Sequence, residues 1–175
     1  MTALLVVFCC CGVPGYFAKP IWDQYPASAS LPSKLADLTL RQDEASTQAA
    51  TELKEEVQGA HWLVEDAFAG IYTDPNGKRV TIFGVTGFRL TPERDVESEI
   101  SRLTDRYGLT GIQVMETNVR GEHRRCGTGR DERTGVVVCA WADHGSVGSG
   151  VFTRLSVDDS NTLLSTLLAN IVTRG

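Results

Sequence analysis

The five cysteines of this 175-residue chain fall into two groups, and the division constrains its architecture. Cys9, Cys10 and Cys11 lie in an uncharged apolar run, whereas Cys126 and Cys139 lie in a polar region, about one hairpin apart. The first group marks a segment that belongs in or near a membrane. The second is typical of a disulfide, which persists only outside a reducing cytosol. Together they indicate a membrane-tethered domain that faces an oxidising compartment.

Residues 1–18 have no charged side chain and are predicted to form a transmembrane anchor or signal-anchor. The apolar centre of this run consists of Leu4, Leu5, Val6, Val7, Phe8, Cys9, Cys10 and Cys11. A membrane-spanning helix needs about 20 apolar residues, with a lower limit of about 17, so the run is barely long enough. Aromatic residues follow it, as they do at membrane interfaces, at Tyr16, Phe17, Trp22 and Tyr25.

Three other interpretations of the N-terminal run stay open. It could be a cleaved signal peptide, although no A-x-A-like site is present. It could carry a lipid-modified cysteine, although Phe8 before Cys9 is larger than the residue that bacterial lipidation sites prefer. It could also be a buried strand or helix of a soluble protein. No basic residue precedes the apolar core, and one explanation is that the anchor begins upstream.

The rest of the chain is predicted to hold a linker and one domain. Residues 19–33 are rich in Pro, Ala and Ser, which indicates a linker. Residues 34–175 have the length of one ordinary domain and can bury roughly two-thirds of their unfolded surface. The net charge of −5 disfavours nucleic acid as a partner.

Apolar residues at helical spacing predict three helices. The first covers 44–57 and is capped by Asp43. The second begins at Thr91-Pro92 and ends at Gly108. The third has leucine pairs that repeat every four residues, with acidic residues in its first turn and Arg174 near its last.

Five strands are predicted between the helices, at 67–72, 79–83, 112–119, 135–143 and 151–155. The first two flank Asp74-Pro75-Asn76-Gly77 and should form a hairpin, and the stretch Gly145 to Gly150 is interpreted as a flexible turn. The order of elements predicts an α+β domain, with a mostly antiparallel sheet of about five strands and helices packed on one face, preceded by the N-terminal membrane helix.

The Cys126–Cys139 pair admits three interpretations: a disulfide, a zinc site, or two free thiols buried in the core. Glycines between the two cysteines let the chain reverse, so that opposed strands bring the sulfurs within bonding range as a disulfide. Alternatively, His123, Cys126, Cys139 and His144 form H-x2-C-x12-C-x4-H, which could supply four tetrahedral zinc ligands. We favour the disulfide because the indicated compartment is oxidising, and we expect no metal and no cofactor.

No catalytic signature is found along the sequence. The phosphate-binding and dinucleotide-binding glycine motifs and H-E-x-x-H are missing, and Gly145 to Gly150 does not fit the G-x-S-x-G elbow. His61 and the Asp143-His144 pair are candidates for acid–base roles, but no nucleophile lies beside them in sequence. The segment 120–133 holds five arginines against three acidic residues, which indicates a solvated hairpin tip or a contact with anionic groups.

Several segments together resemble a known type of protein. They are 31–38 (LPSKLADL), 71–74 (IYTD), 80–87 (VTIFGVTG) and 136–143 (VVVCAWAD), with Cys126-Gly127 before the last. With the Cys-rich apolar run, the chain resembles uncharacterised actinobacterial proteins that are membrane-anchored or exported and carry a small extracytoplasmic domain. The resemblance implies that architecture and no assigned activity, so no functional residue is carried over from it.

We therefore expect a single-pass protein of the cell membrane whose C-terminal domain is extracytoplasmic. Its expected role is non-catalytic interaction or sensing at the cell surface, with the lipid bilayer and a cell-surface protein or polymer as partners. A binding module for a small ligand or cell-wall polymer is the first alternative. A hydrolase with an unrecognised site, built around His61 or His144, is the second.

Overall fold

The structure, a computed structural model, describes residues 13–175, with side chains from residue 18 onward. The predicted anchor core, residues 4–11, lies outside the described residues. The helices in the described part are α1 (Val13–Gln24), α2 (Glu44–Ala60), α3 (Pro92–Tyr107) and α4 (Val157–Ile171). The strands are β1 (Ala27–Ala29), β2 (Lys34–Leu35), β3 (Leu38–Leu40), β4 (Asp66–Thr73), β5 (Arg79–Thr86), β6 (Thr110–Val114), β7 (His123–Asp131), β8 (Thr134–Ala142), β9 (Ser146–Thr153) and β10 (Val172–Arg174).

Eight strands form one antiparallel sheet in the order β2-β3-β4-β5-β9-β8-β7-β6. The predicted hairpin is present, because β4 and β5 pair along their whole length around the Asp74-Pro75-Asn76-Gly77 turn. The α+β class and the antiparallel sheet are therefore confirmed, whereas the expected number of about five strands is too small. None of the helices in residues 13–175 combines the length and the apolar character needed to cross a membrane.

Helices cover both faces of the sheet, so the expectation of helices on one face is wrong. In β8, Val136, Val138 and Ala140 pack in a core with residues of α2 and α3. The alternate residues Cys139 and Trp141 pack in a second core with α4. Because side chains alternate across a strand, a strand that is apolar at successive positions is buried on both faces. The sequence prediction followed only one of these two alternating sets.

Strand β9 lies at the centre of the sheet, where the sequence predicted a flexible turn at Gly145 to Gly150. That prediction is wrong, because residues 146–153 pair with both β5 and β8. A Cβ atom on Gly148 would overlap the carbonyl oxygen of Phe83 on the neighbouring strand. Glycine here permits close approach of two backbones, so its presence marks a tight strand contact and not flexibility.

The predicted helix ends are partly confirmed. Asp43 caps α2 by accepting a hydrogen bond from Ser46 N, and α3 starts at Pro92 and ends at Gly108 in the left-handed conformation, with φ of 60°. Arg174, however, does not lie in the last turn of α4. It belongs to β10, which follows that helix and pairs with β1.

The segment 19–33, which we expected to be a linker, contributes to the packed domain. Strand β1 pairs antiparallel with β10, so this segment and the C-terminus form a two-stranded sheet. Gln24 at the end of α1 is only 1% exposed. A Cβ atom on Gly145 would overlap the carbonyl oxygen of Gln24, which shows how closely α1 approaches the loop after β8.

Candidate functional site

Four charged side chains meet beside α4 and form what we call the buried charge cluster: Glu122, Arg124, Asp143 and Arg174. The first three are less than 10% exposed, and the side chain of Arg174 is 20% exposed. Alternation along β7 places Glu122 and Arg124 on the same face as Cys126, towards α4. Asp143 follows β8, and Arg174 lies in β10.

Three ion pairs join the four members of the cluster. Glu122 Oε1 accepts a hydrogen bond from Arg124 Nη2, and Glu122 Oε2 lies 3.3 Å from Arg174 Nη2. The same Arg174 nitrogen donates to Asp143 Oδ2 at 2.6 Å, and Arg174 Nε donates to that oxygen at 2.9 Å. Two arginines thus balance two carboxylates, as buried charges require.

Neighbouring polar groups satisfy further hydrogen bonds of the cluster. Asp143 Oδ1 accepts from Gly145 N at 2.8 Å and from Ser146 N at 2.6 Å. Arg124 Nη1 donates to Asn161 Oδ1 at 2.7 Å and to Ser165 Oγ at 2.8 Å, both on α4. The cluster therefore fastens β7, the end of β8, β10 and α4 to one another.

An open cavity of about 430 Å³ lies directly against this cluster. Its walls are the loop 116–119, the exposed side of the cluster, and one face of α4 that includes Asn161, Thr162 and Ser165. A second cavity of about 440 Å³ adjoins it and is lined by α1 residues such as Lys19 and Asp23. Residues 118, 119 and 174 line both, so the two spaces form one polar groove between α1 and α4.

The groove offers hydrogen-bonding groups of both kinds with little net charge. In the described part of the chain, Arg124 Nε is buried and has no hydrogen-bond partner, which is costly unless a ligand or water satisfies it. Thr162, Ser165 and Asn161 contribute hydroxyl and amide groups to the lining of the groove. Such a site suits a neutral, polar ligand better than an ion.

His61 lies in a different place, against the buried carboxylate of Glu99. Its Nε2 atom is 3.4 Å from Glu99 Oε2, and Glu99 also accepts from Arg102 Nη2 and from Ser149 Oγ, each at 2.9 Å. Burial opposes ionisation of Glu99, but the nearby His61 ring and the hydrogen bonds from Arg102 outweigh it and lower the pKa to about 2. Glu99 is therefore ionised at neutral pH and cannot serve as an acid there.

The predicted Asp143-His144 pair is not an acid–base unit in this structure. His144 Nδ1 lies 2.9 Å from the carbonyl oxygen of Arg89, whereas Asp143 binds Arg174 and the following backbone amides. The two neighbours in sequence thus have separate partners. Asp143 has a structural role in the cluster, and His144 joins two loops.

The cysteines Cys126 and Cys139 lie directly opposite each other on β7 and β8, with their sulfurs 2.05 Å apart. Both are fully buried in the core beneath α4, together with Trp141. The alternative zinc set is not brought together, because the two sulfurs bond to each other and His144 faces Arg89. Across residues 13–175, no group of three His, Cys, Asp or Glu side chains is placed to hold a metal ion.

The arginine-rich segment 120–133 mostly forms strand β7, with a turn at each end. Arg124 is buried in the cluster, and Arg125 Nη2 donates to Glu97 on α3 at 2.6 Å. The sequence analysis therefore did not predict that this segment contributes Arg124 to the buried charge cluster. The signal was its alternation, because Glu122, Arg124 and Cys126 occupy every second position and so share one face.

Comparison of the chain with protein families, with curated proteins and with solved structures found no significant match. The interpretation of the site therefore depends on its own geometry.

Proposed function

We propose that this chain is a membrane-anchored extracytoplasmic domain, the architecture that its resemblance to uncharacterised actinobacterial proteins implies, and that it acts by interaction or sensing at the cell surface and not by catalysis. The observation that carries this proposal is the Cys126–Cys139 pair, whose sulfurs are at bonding distance inside the core. Structural disulfides are rare in the cytosol and common outside it. The uncharged run at 1–18 supplies a candidate anchor on the same chain.

The arrangement of titratable groups supports a non-catalytic role. Glu99 and Asp143 each accept several hydrogen bonds, and His61 and His144 face a carboxylate and a carbonyl group. None of the histidines in the described residues lines the groove between α1 and α4. A hydrolase would need a base beside a nucleophile in a cavity, which makes this alternative weaker.

Surface labelling of intact cells tests the proposal. A lysine-reactive reagent that does not cross membranes should modify Lys34 and Lys54, which are exposed on the domain, and the labelled chain should stay with the membrane fraction after a high-salt wash. A cytosolic protein serves as the unlabelled control. Labelling that occurs only after cell lysis, or a chain found in the soluble fraction, would refute the proposed location.

A second candidate function is the binding of a small polar ligand in the groove beside the cluster. The observation in its favour is the buried Arg124 Nε, which lacks a partner among the described residues, next to a cavity of about 430 Å³. Because the cluster is charge-balanced and the walls carry hydroxyl and amide groups, a neutral saccharide of a cell-wall polymer fits this chemistry.

Titration with neutral N-acetylglucosamine oligosaccharides, monitored by calorimetry, tests this second candidate. Thr162→Tyr should fill the cavity and abolish binding. Thr166→Tyr, one turn further along α4 and outside the cavity lining, is the matched control and should bind as the wild type does. Equal affinity for both variants, or no heat with the wild type, would eliminate this use of the groove.

A further inference from the structure

One end of the domain exposes four large apolar side chains, which we call the apolar end: Trp22, Trp62, Leu63 and Leu90. Their exposed fractions are 76%, 68%, 53% and 67%. Water contact with so much apolar surface is unfavourable, and contiguous patches of this kind mark interaction sites.

Two loops bring three of these side chains together. Arg89 Nη1 donates to the carbonyl oxygen of Trp62 at 2.9 Å, and Leu90 directly follows Arg89. The carbonyl oxygen of Leu63 lies so close to Gly87 that a Cβ atom there would overlap it. The turn between α2 and β4 therefore abuts the loop between β5 and α3.

The end of α1 completes the same surface. The ring of Tyr25, which directly follows α1, meets the ring of Phe88 edge-on with centroids 5.5 Å apart. Tyr25 also donates to Glu65 at 2.6 Å, just beyond the turn that carries Trp62. Trp22 lies in the last turn of α1, three residues before Tyr25. The apolar end thus joins α1 to both loops.

Leu63 adds an independent observation. Its φ is 55°, in the left-handed region that glycine and asparagine favour. An exposed leucine in this conformation is explained neither by core burial nor by backbone preference. Strained residues of this kind concentrate at functional sites.

We propose that the apolar end rests on the lipid surface of the membrane that holds the apolar run at residues 4–11. This inference depends on the proposed anchoring and adds an orientation to it. That run is uncharged and precedes α1, and tryptophan and tyrosine are enriched at the lipid–water interface. The anchor also keeps the domain at a high local concentration near the lipid, so a small patch suffices for docking.

The geometry imposes one condition on this orientation. Pro20 and Gln24 face the domain and are buried, whereas Trp22 faces outward. A helix of 12 residues is about 18 Å long. Helix α1 must therefore lie parallel to the membrane surface. If α1 were perpendicular to the membrane, its C-terminal end and the two loops would be held away from the lipid. The exposed charges of α1 are compatible with this, since Lys19 pairs with Asp23 at 2.6 Å.

Quenching of tryptophan fluorescence by brominated lipids tests the orientation. The full chain is reconstituted into vesicles of phosphatidylcholine and phosphatidylglycerol whose acyl chains carry bromine. The wild type should be quenched, and Trp62→Phe should lower the quenched fraction, because Trp62 lies far from the anchor in sequence but reaches lipid in the docked state. Trp141 is fully buried and supplies the unquenched signal. A quenched fraction that stays the same or rises in Trp62→Phe would overturn the proposal.

A paired variant separates docking from anchoring. Leu63→Ser with Leu90→Ser should reduce quenching of Trp62, whereas Ile112→Ser with Val114→Ser, exposed on the edge strand β6, should not. Flotation of the vesicles is measured in parallel. If every variant floats but Trp62 is never quenched, docking is wrong and anchoring stands. If the wild type does not float with the vesicles after a high-salt wash, the proposed anchoring is wrong, and the docking that depends on it is wrong as well.

Discussion

Gln24 and His144 are 120 positions apart in the sequence, yet the Oε1 atom of Gln24 accepts a hydrogen bond from the backbone nitrogen of His144 at 3.0 Å. The amide nitrogen of the same Gln24 side chain donates to the carbonyl oxygen of Arg120 at 2.8 Å. One buried side chain at the end of α1 therefore satisfies the backbone of two loops. Helix α1 is thus fixed to the domain, and the domain's orientation follows the direction of α1.

Gly145→Ala should weaken this attachment. The added methyl group would overlap the carbonyl oxygen of Gln24 and press on Ala27, so we expect a loss of about 1–3 kcal/mol in the free energy of unfolding. Gly135→Ala is the matched control, since an added Cβ there meets no atom within 4 Å, and it should change stability by less than about 0.5 kcal/mol. Denaturant unfolding measures both, and equal effects would show that α1 tolerates displacement.

Arg174→Gln should destabilise the domain strongly. The change removes charge-assisted hydrogen bonds to Asp143 and leaves two carboxylates against one arginine in the buried charge cluster. We expect a loss of about 2–4 kcal/mol. Arg79→Gln breaks the exposed pair with Asp131 and should cost no more than about 1 kcal/mol. If the two variants unfold at the same denaturant concentration, the cluster is not a major source of stability.

The elements with a strong local signal could be predicted from the sequence, whereas their arrangement in layers could not. The hairpin around Asp74-Pro75-Asn76-Gly77 and the α3 end at Gly108 depend on turn and cap residues that act within a few positions. The burial of β8 on both faces and the central place of β9 depend on long-range packing. Position 148 must be glycine because the neighbouring strand approaches it closely. Judged from the local sequence alone, the same glycine indicates a loop.

Among the candidate functional residues, only the pairing of Cys126 with Cys139 could be predicted from the sequence. Cys126 and Cys139 have a spacing that a hairpin brings together, and the structure places them opposite each other. The charge cluster joins Arg124 to Arg174 through Glu122, and Arg174 comes from a strand distant in sequence from the other two. A charged residue in an arginine-rich stretch is most often solvated, and only the alternation of β7 distinguishes buried Arg124 from its partly exposed neighbours.

Acid should weaken the domain partly through Glu99. Because its pKa is lowered to about 2 from an ordinary value of 4.5, ionised Glu99 contributes stability that is fully present above about pH 4.5 and is lost as the pH falls towards 2. Glu99→Gln should therefore be less stable than the wild type at pH 7, and the difference should shrink between pH 4.5 and 2. Glu55→Gln, at an exposed carboxylate, is the control. Parallel pH profiles for the wild type and Glu99→Gln would contradict the assignment.

Removing both cysteines should reduce stability by a moderate amount. Cys126→Ala with Cys139→Ala opens a loop with a sequence separation of 13, and loss of such a crosslink costs about 3 kcal/mol on chain-entropy grounds. Reductant should lower the unfolding midpoint of the wild type and leave that of the double variant unchanged. If the wild type is reduced while unfolded in denaturant and its unfolding midpoint does not change, the disulfide does not stabilise the domain.

The redox state of Cys126 and Cys139 in the cell tests directly whether the domain is extracytoplasmic. Cells are quenched in acid, free thiols are alkylated, and peptides that contain these cysteines are weighed by mass spectrometry before and after reduction. We expect that neither cysteine is alkylated until the sample is reduced, because the compartment we propose for the domain is oxidising. Full alkylation of both without reductant, in protein that is folded in the cell, would contradict an extracytoplasmic domain.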